Sequence, residues 1–399
     1  MRRDSLLLLL FFFLLQNNIN GQNSPGGVGT TNLRGWYIGQ TGITLSGGAV
    51  SQWDDNTPNL HHATQSTSSR RPTISSGYFN YNQVLNFDGI DDWLSIPDLI
   101  PSNSTAITVF AVAKRRATTN DAWGCIFFGQ SNSSTWTGGG YGLTALSADN
   151  TSHGFWIRDY NINYVSLNTT IPNPSILTGN WNGTSTGNLQ KFFNTSSVGL
   201  DNFSGMLGDS GPSAIGSSGN DSYCFTGEIA EIIAFNQGLN LIETQRVQSY
   251  LGLKYGISIT HPYYNSSGSL IADFTTTNFN YKVLGLGRDD VTLLLQKQSH
   301  TLDDSCRLFM GTLAPNNQTN LSSFNSNNQY LLIGQTQNLA YGKDTEKPSG
   351  IFSRLEKEFM TVNYNFNSDF NYELTLLSSA LFNFNLSDLR LLVDTDDNF

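Results

Sequence analysis

Two glutamates in one apolar run are the first residues whose spacing could support hydrolytic chemistry. Glu228 and Glu231 lie in the segment GEIAEIIAF, which has the composition of a buried strand. Glycosidic hydrolysis needs two carboxyl groups facing the same bond, about 5 to 9.5 Å apart. Because side chains alternate along a strand, residues three positions apart point to opposite faces unless a bulge intervenes. We therefore expect Glu231 to be a structural acid and the chain not to be an enzyme.

Short acidic clusters in turn-rich segments indicate a possible cation site. Asp54 and Asp55 form one cluster, and Asp88, Asp91 and Asp92 form a second. Ca²⁺ prefers several oxygen ligands from such loops, so we predict that these five acids bind calcium. The alternative is that they organise the turns themselves, because aspartate side chains accept hydrogen bonds from nearby backbone N–H groups.

Aromatic side chains in polar loops are the candidates for carbohydrate recognition. Trp136 lies in the segment NSSTWTGGG, where small polar residues surround it and core packing is hard to explain. Trp123 and Tyr141 lie nearby, and we predict that these three residues bind the ligand. Trp53 and Trp93 each adjoin a strand-like run, so we expect both in the core, where most aromatic residues pack.

The composition indicates where the protein works. Only 13% of the 399 residues are charged, against about 25% in average domains, whereas 12% are aromatic. The formal net charge of −10 argues against binding to nucleic acid or to anionic membrane surfaces. A polar, weakly charged, aromatic-rich chain is typical of extracellular β-proteins, so the expected partner is a glycan or an extracellular protein.

The N-terminus has the features of a secretory signal peptide. Arg2 and Arg3 precede the apolar run Leu6–Leu15, which is shorter than the roughly 20 residues that a membrane-spanning helix needs. We predict that residues 1–21 are removed, leaving a secreted or cell-surface chain without a membrane span. An uncleaved anchor is the alternative.

Three widely spaced cysteines do not form a metal-binding motif. Cys125, Cys224 and Cys306 include no C-x-x-C pair. Cys125 and Cys224 could form a disulfide if their strands are adjacent. The alternative is that all three are buried thiols that pack as small apolar residues.

Short apolar runs separated by Gly, Asn, Ser and Pro predict many strands and one helix. Recurring strands with turn signals are typical of a sandwich or barrel. Asn240 and Glu243 form a capping-box pattern ahead of an apolar stripe, which predicts a helix over residues 241–254 that ends at Gly256. The predicted strands are Ile107–Ala113, Cys125–Gly129, Gly154–Ile157, Lys191–Phe193, Glu228–Phe235, Tyr330–Gly334 and Leu389–Val393.

Three segments of the first part resemble a known family. They are VSQWDD at 50–55 with HATQ at 62–65, LNFDGIDDWL at 85–94, and FTGEIAEIIAF at 225–235 followed by the helix. In this order they are similar to the concanavalin A-like, laminin-G-like jelly roll of bacterial surface proteins. The resemblance implies two stacked antiparallel sheets over residues 22–258. Hydrolases with this fold carry the pattern E-x-D-x-x-E, from which Ala230 departs.

The second part resembles an uncharacterised β-domain that often follows this jelly roll. The resemblance lies in LGLGRDD at 284–290, QKQS at 296–299, RLEKE at 354–358 and LLVDTD at 391–396. It implies a large adhesin-like product exported by the type IX secretion route, and we expect the natural chain to continue beyond Phe399. The overall expectation is an all-β chain in which a jelly-roll sandwich with one closing helix precedes a smaller β-sandwich at residues 259–399.

These patterns together predict a non-catalytic module for adhesion or for carbohydrate or protein binding. A glycan hydrolase on the same fold and a purely structural spacer are the two alternatives.

Overall fold

The computed structural model describes residues 23–116, 124–130, 140–145, 153–158, 162–167, 173–183, 188–207, 211–219, 221–337, 341–343, 349–351, 354–355 and 357–374. The predicted signal peptide, Trp123, Trp136 and the predicted strand Leu389–Val393 lie outside these residues. All pairings between the described strands are antiparallel. The chain is mostly β, as predicted, and no described helix is long and apolar enough to cross a membrane.

The first part of the chain is a sandwich of two large sheets. Its described strands are β1 (Leu33–Ile38), β2 (Ile43–Ser46), β3 (Ala49–Trp53), β4 (Ala63–Thr64), β5 (Thr73–Phe79), β6 (Asn82–Asp88), β7 (Leu94–Asp98), β8 (Ala106–Arg115), β9 (Cys125–Gln130), β10 (Gly140–Ala145), β11 (His153–Arg158), β12 (Ile162–Leu167), β13 (Ser175–Asn182), β14 (Leu189–Phe193), β15 (Ser196–Asp201), β16 (Pro212–Ile215) and β17 (Thr226–Phe235). Short 3-10 helices lie at Pro25–Gly27 and Ser68–Arg70.

The two sheets enclose one apolar core. The first sheet has the strand order β15-β14-β13-β8-β17-β6-β5, with β1 also paired to β17, and the second has the order β12-β11-β10-β9-β16-β7-β4-β3-β2. Inward side chains of both sheets pack together, for example Leu85 and Val109 of the first against Trp53 and Phe127 of the second. Alternation along each strand therefore determines which residues enter the core.

The strand predictions are confirmed wherever their residues are described. Predicted strands at 107–113, 125–129, 154–157, 191–193, 228–235 and 330–334 all lie within observed strands. The interval from 130 to 220 also contains β10, β12, β13, β15 and β16, which the apolar runs did not predict. Its Gly- and Asn-rich composition hid these strands because sheet packing outweighs weak local propensity.

One α-helix, α1 (Leu241–Tyr255), follows β17 as predicted. The Asn240 side chain accepts a hydrogen bond from Glu243 N, and the Glu243 carboxylate accepts one from Asn240 N, both at 3.0 Å. This capping box satisfies two N–H groups that the first turn leaves unpaired. Gly256 ends the helix in the left-handed conformation, with φ of 65°.

The second part of the chain forms smaller sheets. Its described strands are β18 (Tyr263–Tyr264), β19 (Leu270–Ala272), β20 (Tyr281–Asp289), β21 (Leu294–Gln296), β22 (Gln298–His300), β23 (Cys306–Phe309), β24 (Gln329–Gln335), β25 (Tyr341–Lys343), β26 (Arg354–Leu355), β27 (Phe359–Tyr364) and β28 (Asn371–Leu374), with a 3-10 turn at Asp290–Thr292. A sheet of order β21-β20-β24-β27 faces one of order β22-β23-β28. Leu286, Leu308 and Phe324 pack between them.

The two parts share a second apolar core built around α1. It joins Trp36 and Ile233 of the first sheet, Leu251 of the helix, and Tyr263 and Leu332 of the second part. The outer face of the first sheet is therefore covered by the helix and by the second part of the chain.

Buried amides strengthen this junction. Asn82 Nδ2 donates to Lys254 O at 2.6 Å and to Gln296 Oε1 at 3.1 Å. Asn80 Oδ1 accepts from His300 N at 2.8 Å. The β5–β6 hairpin turn thus contacts both the end of α1 and the second part.

A fully buried carboxylate connects the first sheet to α1. Glu231 Oε2 lies 2.7 Å from both Lys254 Nζ and the Tyr255 hydroxyl, while Oε1 accepts from Trp36 Nε1 at 2.6 Å and from the Tyr250 hydroxyl at 2.9 Å. Lys254 also donates to the Tyr250 hydroxyl. Lys254 lies in the last turn of the helix, where a cation also interacts favourably with the helix dipole, but its main contact is this carboxylate.

We expect K254M to lower the free energy of unfolding by about 3–5 kcal/mol, because it leaves the Glu231 charge buried without a cation. Chemical denaturation measures the change. The matched control is K282M, which removes a lysine paired with the half-exposed Asp303 and should cost about 0–1 kcal/mol. A loss in K254M no larger than in K282M would contradict this role.

A second buried lysine lies at the far side of the first sheet. Lys191 of β14 is flanked in register by Gly179 and Gly199 and is fully buried. Burial disfavours the charged form and lowers the pKa of Lys191 to about 7. The unfolded chain, with an ordinary lysine pKa near 10.4, therefore binds more protons than the folded chain between these pH values.

It follows that wild type gains stability relative to K191M as pH rises above 7. We expect K191M to be more stable than wild type at pH 6, by on the order of a few kcal/mol, and the difference to shrink by pH 9. Urea unfolding at several pH values measures this trend. A difference that stays constant with pH would show that Lys191 does not titrate as described.

Candidate functional site

Three segments meet at one end of the sandwich. Trp93 N, just after the β6–β7 turn, donates to Arg70 O in the 3-10 helix at 3.1 Å. Trp93 Nε1 donates to Asp221 Oδ1, in the loop that follows β16, at 3.3 Å, and Arg70 forms an ion pair with the same carboxylate. We call this group the Trp93 rim; it consists of Arg70, Asp88, Asp91, Asp92, Trp93 and Asp221.

The β6–β7 turn brings three carboxylates together. Asp88 Oδ1 accepts from Ile90 N at 2.8 Å and from Asp91 N at 3.4 Å, and Asp92 Oδ2 accepts from Asp88 N at 3.0 Å. Gly89, with φ of 81°, allows the chain to reverse here. One oxygen from each of Asp88, Asp91 and Asp92 lies within 4.8 Å of the others.

The turn concentrates negative charge in a partly desolvated place. Asp92 is buried, Asp91 is half-buried and Asp88 is exposed. Burial raises the pKa of Asp92 to about 6, and the neighbouring Asp88 and Asp91 charges add to the effect. Each of the three carboxylates has at least one oxygen that accepts no hydrogen bond from a described residue, so the set of ligand oxygens suits a hard cation such as Ca²⁺.

The structure separates the other two predicted calcium ligands from this group. Asp55 is buried, and its oxygens accept from Trp36 N, Thr57 N, Thr57 Oγ1 and His61 N at 2.7–3.0 Å. These bonds make Asp55 the turn-organising acid of the alternative interpretation. Asp54 interacts instead with Gln52 Nε2 at 2.7 Å and with His62 Nδ1 at 3.3 Å. Among the described residues, only Asp88, Asp91 and Asp92 form a metal-compatible group.

Trp93 is a functional candidate that the sequence interpretation missed. We expected it in the core, and this was wrong: it is half-buried, and its indole N–H bonds to a surface aspartate. The alternation of β7 could have revealed this, because Leu94 and Ile96 are buried on the opposite face. Trp53 is in the core as expected, fully buried with Nε1 bonded to Ile38 O.

Tyr141 cannot be the exposed ligand-binding residue that we predicted. It is only 4% exposed, its ring centroid lies 5.7 Å from that of Phe127, and its hydroxyl lies 3.1 Å from Ser213 Oγ. Tyr141 is an inward residue of β10, and loop composition gave no sign of that strand. Trp123 and Trp136 lie outside the described residues and stay predictions.

The Glu228–Glu231 pair shows why strand alternation alone was insufficient. The pairing of β17 with β8 shifts between Ile229 and Glu231, so a bulge is present here, contrary to the regular strand we assumed. Ile229 and Ile232 pack inside the sandwich, whereas Ala230 packs in the core on the helix side. Glu231 also faces the helix, where its carboxylate is fully buried and bonded to four side chains.

The comparisons with known proteins give one family match and several distant structural likenesses. Residues 243–399 match the model of a domain of unknown function, DUF8202. No curated protein sequence matches the chain. The family match therefore covers α1 from its third residue and the second part of the chain.

Three solved structures illustrate the likeness. Domain 4 of AbnA, a GH43 extracellular arabinanase from Geobacillus stearothermophilus solved with arabinotriose, is 17% identical, with 54% of this chain and 97% of that chain covered and a TM-score of 0.39. The heptameric SAP-like pentraxin of Limulus polyphemus is 16% identical, with coverages of 41% and 79% and a TM-score of 0.31. The binding domain of Paraclostridial Mosquitocidal Protein 1 is 10% identical, with coverages of 82% and 75% and a TM-score of 0.42. The likeness concerns the fold alone.

Proposed function

We propose that the chain is a non-catalytic, extracellular carbohydrate-binding module and that the Trp93 rim is its binding site. The observation that carries the proposal is the half-buried Trp93 indole, held beside the paired Arg70 and Asp221. An aromatic face offers apolar area to the C–H face of a sugar ring. Neighbouring carboxylate and guanidinium groups can then exchange hydrogen bonds with its hydroxyls.

The same rim argues against hydrolysis as its main activity. The three clustered acids belong to one turn, and Asp88 and Asp92 accept hydrogen bonds from its backbone, whereas a glycosidase needs two carboxyls on opposite sides of a sugar bond. Glu231, the other acid of interest, is engaged by Lys254, Trp36 and two tyrosines. Adhesion by a larger surface protein, and export by the type IX route, remain predictions of the family resemblance.

We expect W93A to weaken binding to the recognised glycan at least tenfold, a loss of about 1.4 kcal/mol, with little change in melting temperature. A glycan array followed by calorimetry on the best ligand measures this. Y78A, which removes another partly exposed aromatic residue outside the rim, is the matched control and should bind normally.

W136A tests the site predicted from sequence. If only W136A loses affinity, the module assignment stands but the rim is wrong. If wild type binds nothing on the array, the spacer interpretation is favoured. If wild type cleaves members of the array, the hydrolase alternative is correct.

We propose calcium as the second ligand of the rim, bound by Asp88, Asp91 and Asp92. Added Ca²⁺ should raise the melting temperature above that measured with chelator, since a ligand bound only by the folded state stabilises it. D91N should abolish the shift and D54N should retain it, because Asp54 lies outside the acidic group. An equal shift in both variants, or no shift in wild type, would exclude this site.

A further inference from the structure

The segments that carry Cys125 and Cys224 lie side by side at the same end of the sandwich. Cys125 is the first residue of β9, and Cys224 lies two residues before β17. Cys125 N donates to Tyr223 O at 2.8 Å, so the backbone of one cysteine bonds to the residue that precedes the other. The cysteines are 99 positions apart in sequence but belong to one hydrogen-bonded junction.

The contact between these segments is close. A Cβ placed on Gly124 would lie 3.2 Å from Cys224 O and 3.4 Å from the Phe225 Cα. Cys125 is fully buried and Cys224 is 5% exposed. In the structure both cysteines are free thiols. A disulfide requires Cα atoms about 4.4–6.8 Å apart, and hydrogen-bonded neighbouring strands lie about 4.7–4.9 Å apart, so the spacing of the two segments allows the bond.

We propose that Cys125 and Cys224 form a disulfide that joins β9 to the loop carrying Asp221. In this step both thiols lose their protons, a sulfur–sulfur bond forms, and two electrons pass to a disulfide oxidant such as oxidised glutathione. The oxidant is reduced to two thiols, which take up the protons. Cys306 lies in β23 of the second part and stays a thiol.

The surroundings of Cys224 determine when the bond forms. Burial, together with the nearby charges of Asp221, Asp88, Asp91 and Asp92, raises the pKa of the Cys224 thiol to about 12. Burial also raises the pKa of Cys125, and Cys224 adds to that shift. Because the thiolate is the reactive form, the folded protein exchanges slowly and the bond forms while the chain folds.

Counting thiols tests the proposal. The full chain is refolded in a buffer of oxidised and reduced glutathione, then denatured without reductant and labelled with a maleimide. We expect one label on wild type, none on C306S and two on C224S, with an unreduced peptide that links Cys125 to Cys224. Three labels on wild type, or a linked peptide that contains Cys306, would overturn the assignment.

Thermal stability gives a second readout that does not depend on refolding yield. Reductant present during unfolding should lower the melting temperature of wild type and C306S by several degrees, because a crosslink closing a long loop restricts the unfolded chain. C224S should show no response to reductant. An unresponsive wild type would also overturn the proposal, and neither result depends on whether the Trp93 rim binds a glycan.

Discussion

The buried carboxylate of Glu231 is the constraint on which the arrangement of the two parts depends. A charge removed from water is tolerated only when a counter-ion and hydrogen-bond donors replace the lost hydration. Trp36 of β1, Lys254 of α1 and two helix tyrosines supply them, at 2.6–2.9 Å. Sliding or rotating α1 along the sheet would leave this charge unsatisfied, so the carboxylate specifies where the helix lies.

That position in turn determines how the second part attaches. The helix covers the outer face of the first sheet with one side and packs on Tyr263 and Leu332 with another. The end of α1 also accepts hydrogen bonds from the Asn80 and Asn82 side chains, which contact Gln296 and His300 as well. The family match that begins at residue 243 therefore starts in an element common to both parts. The boundary placed after residue 258 separates strands, but it does not separate the cores.

Aspartates in two acidic turns of the sandwich have different roles. Asp55 is buried, and its oxygens organise the backbone of Trp36 and His61. At the β6–β7 turn, Asp88 and Asp92 also accept hydrogen bonds from the backbone. Here, however, a carboxylate oxygen of Asp91 lies within 4.8 Å of theirs, and several of the carboxylate oxygens accept no hydrogen bond from a described residue. The number of donors around each carboxylate distinguishes a structural acid from a candidate ligand, and that number depends on which strands and turns lie nearby.

The sequence by itself determined the all-β class, the strands with clear apolar runs, and the bounds and caps of α1, because these depend on periodicity and on neighbours within a few positions. It also indicated that Asp88, Asp91 and Asp92 form one acidic cluster, because they lie in a single turn. Only the tertiary structure decided that Tyr141 is buried, that Trp93 lies beside Asp221, and that β17 contains a bulge. Each of these depends on contacts between residues far apart in the chain, where burial and desolvation are set by the partner strand and not by local composition.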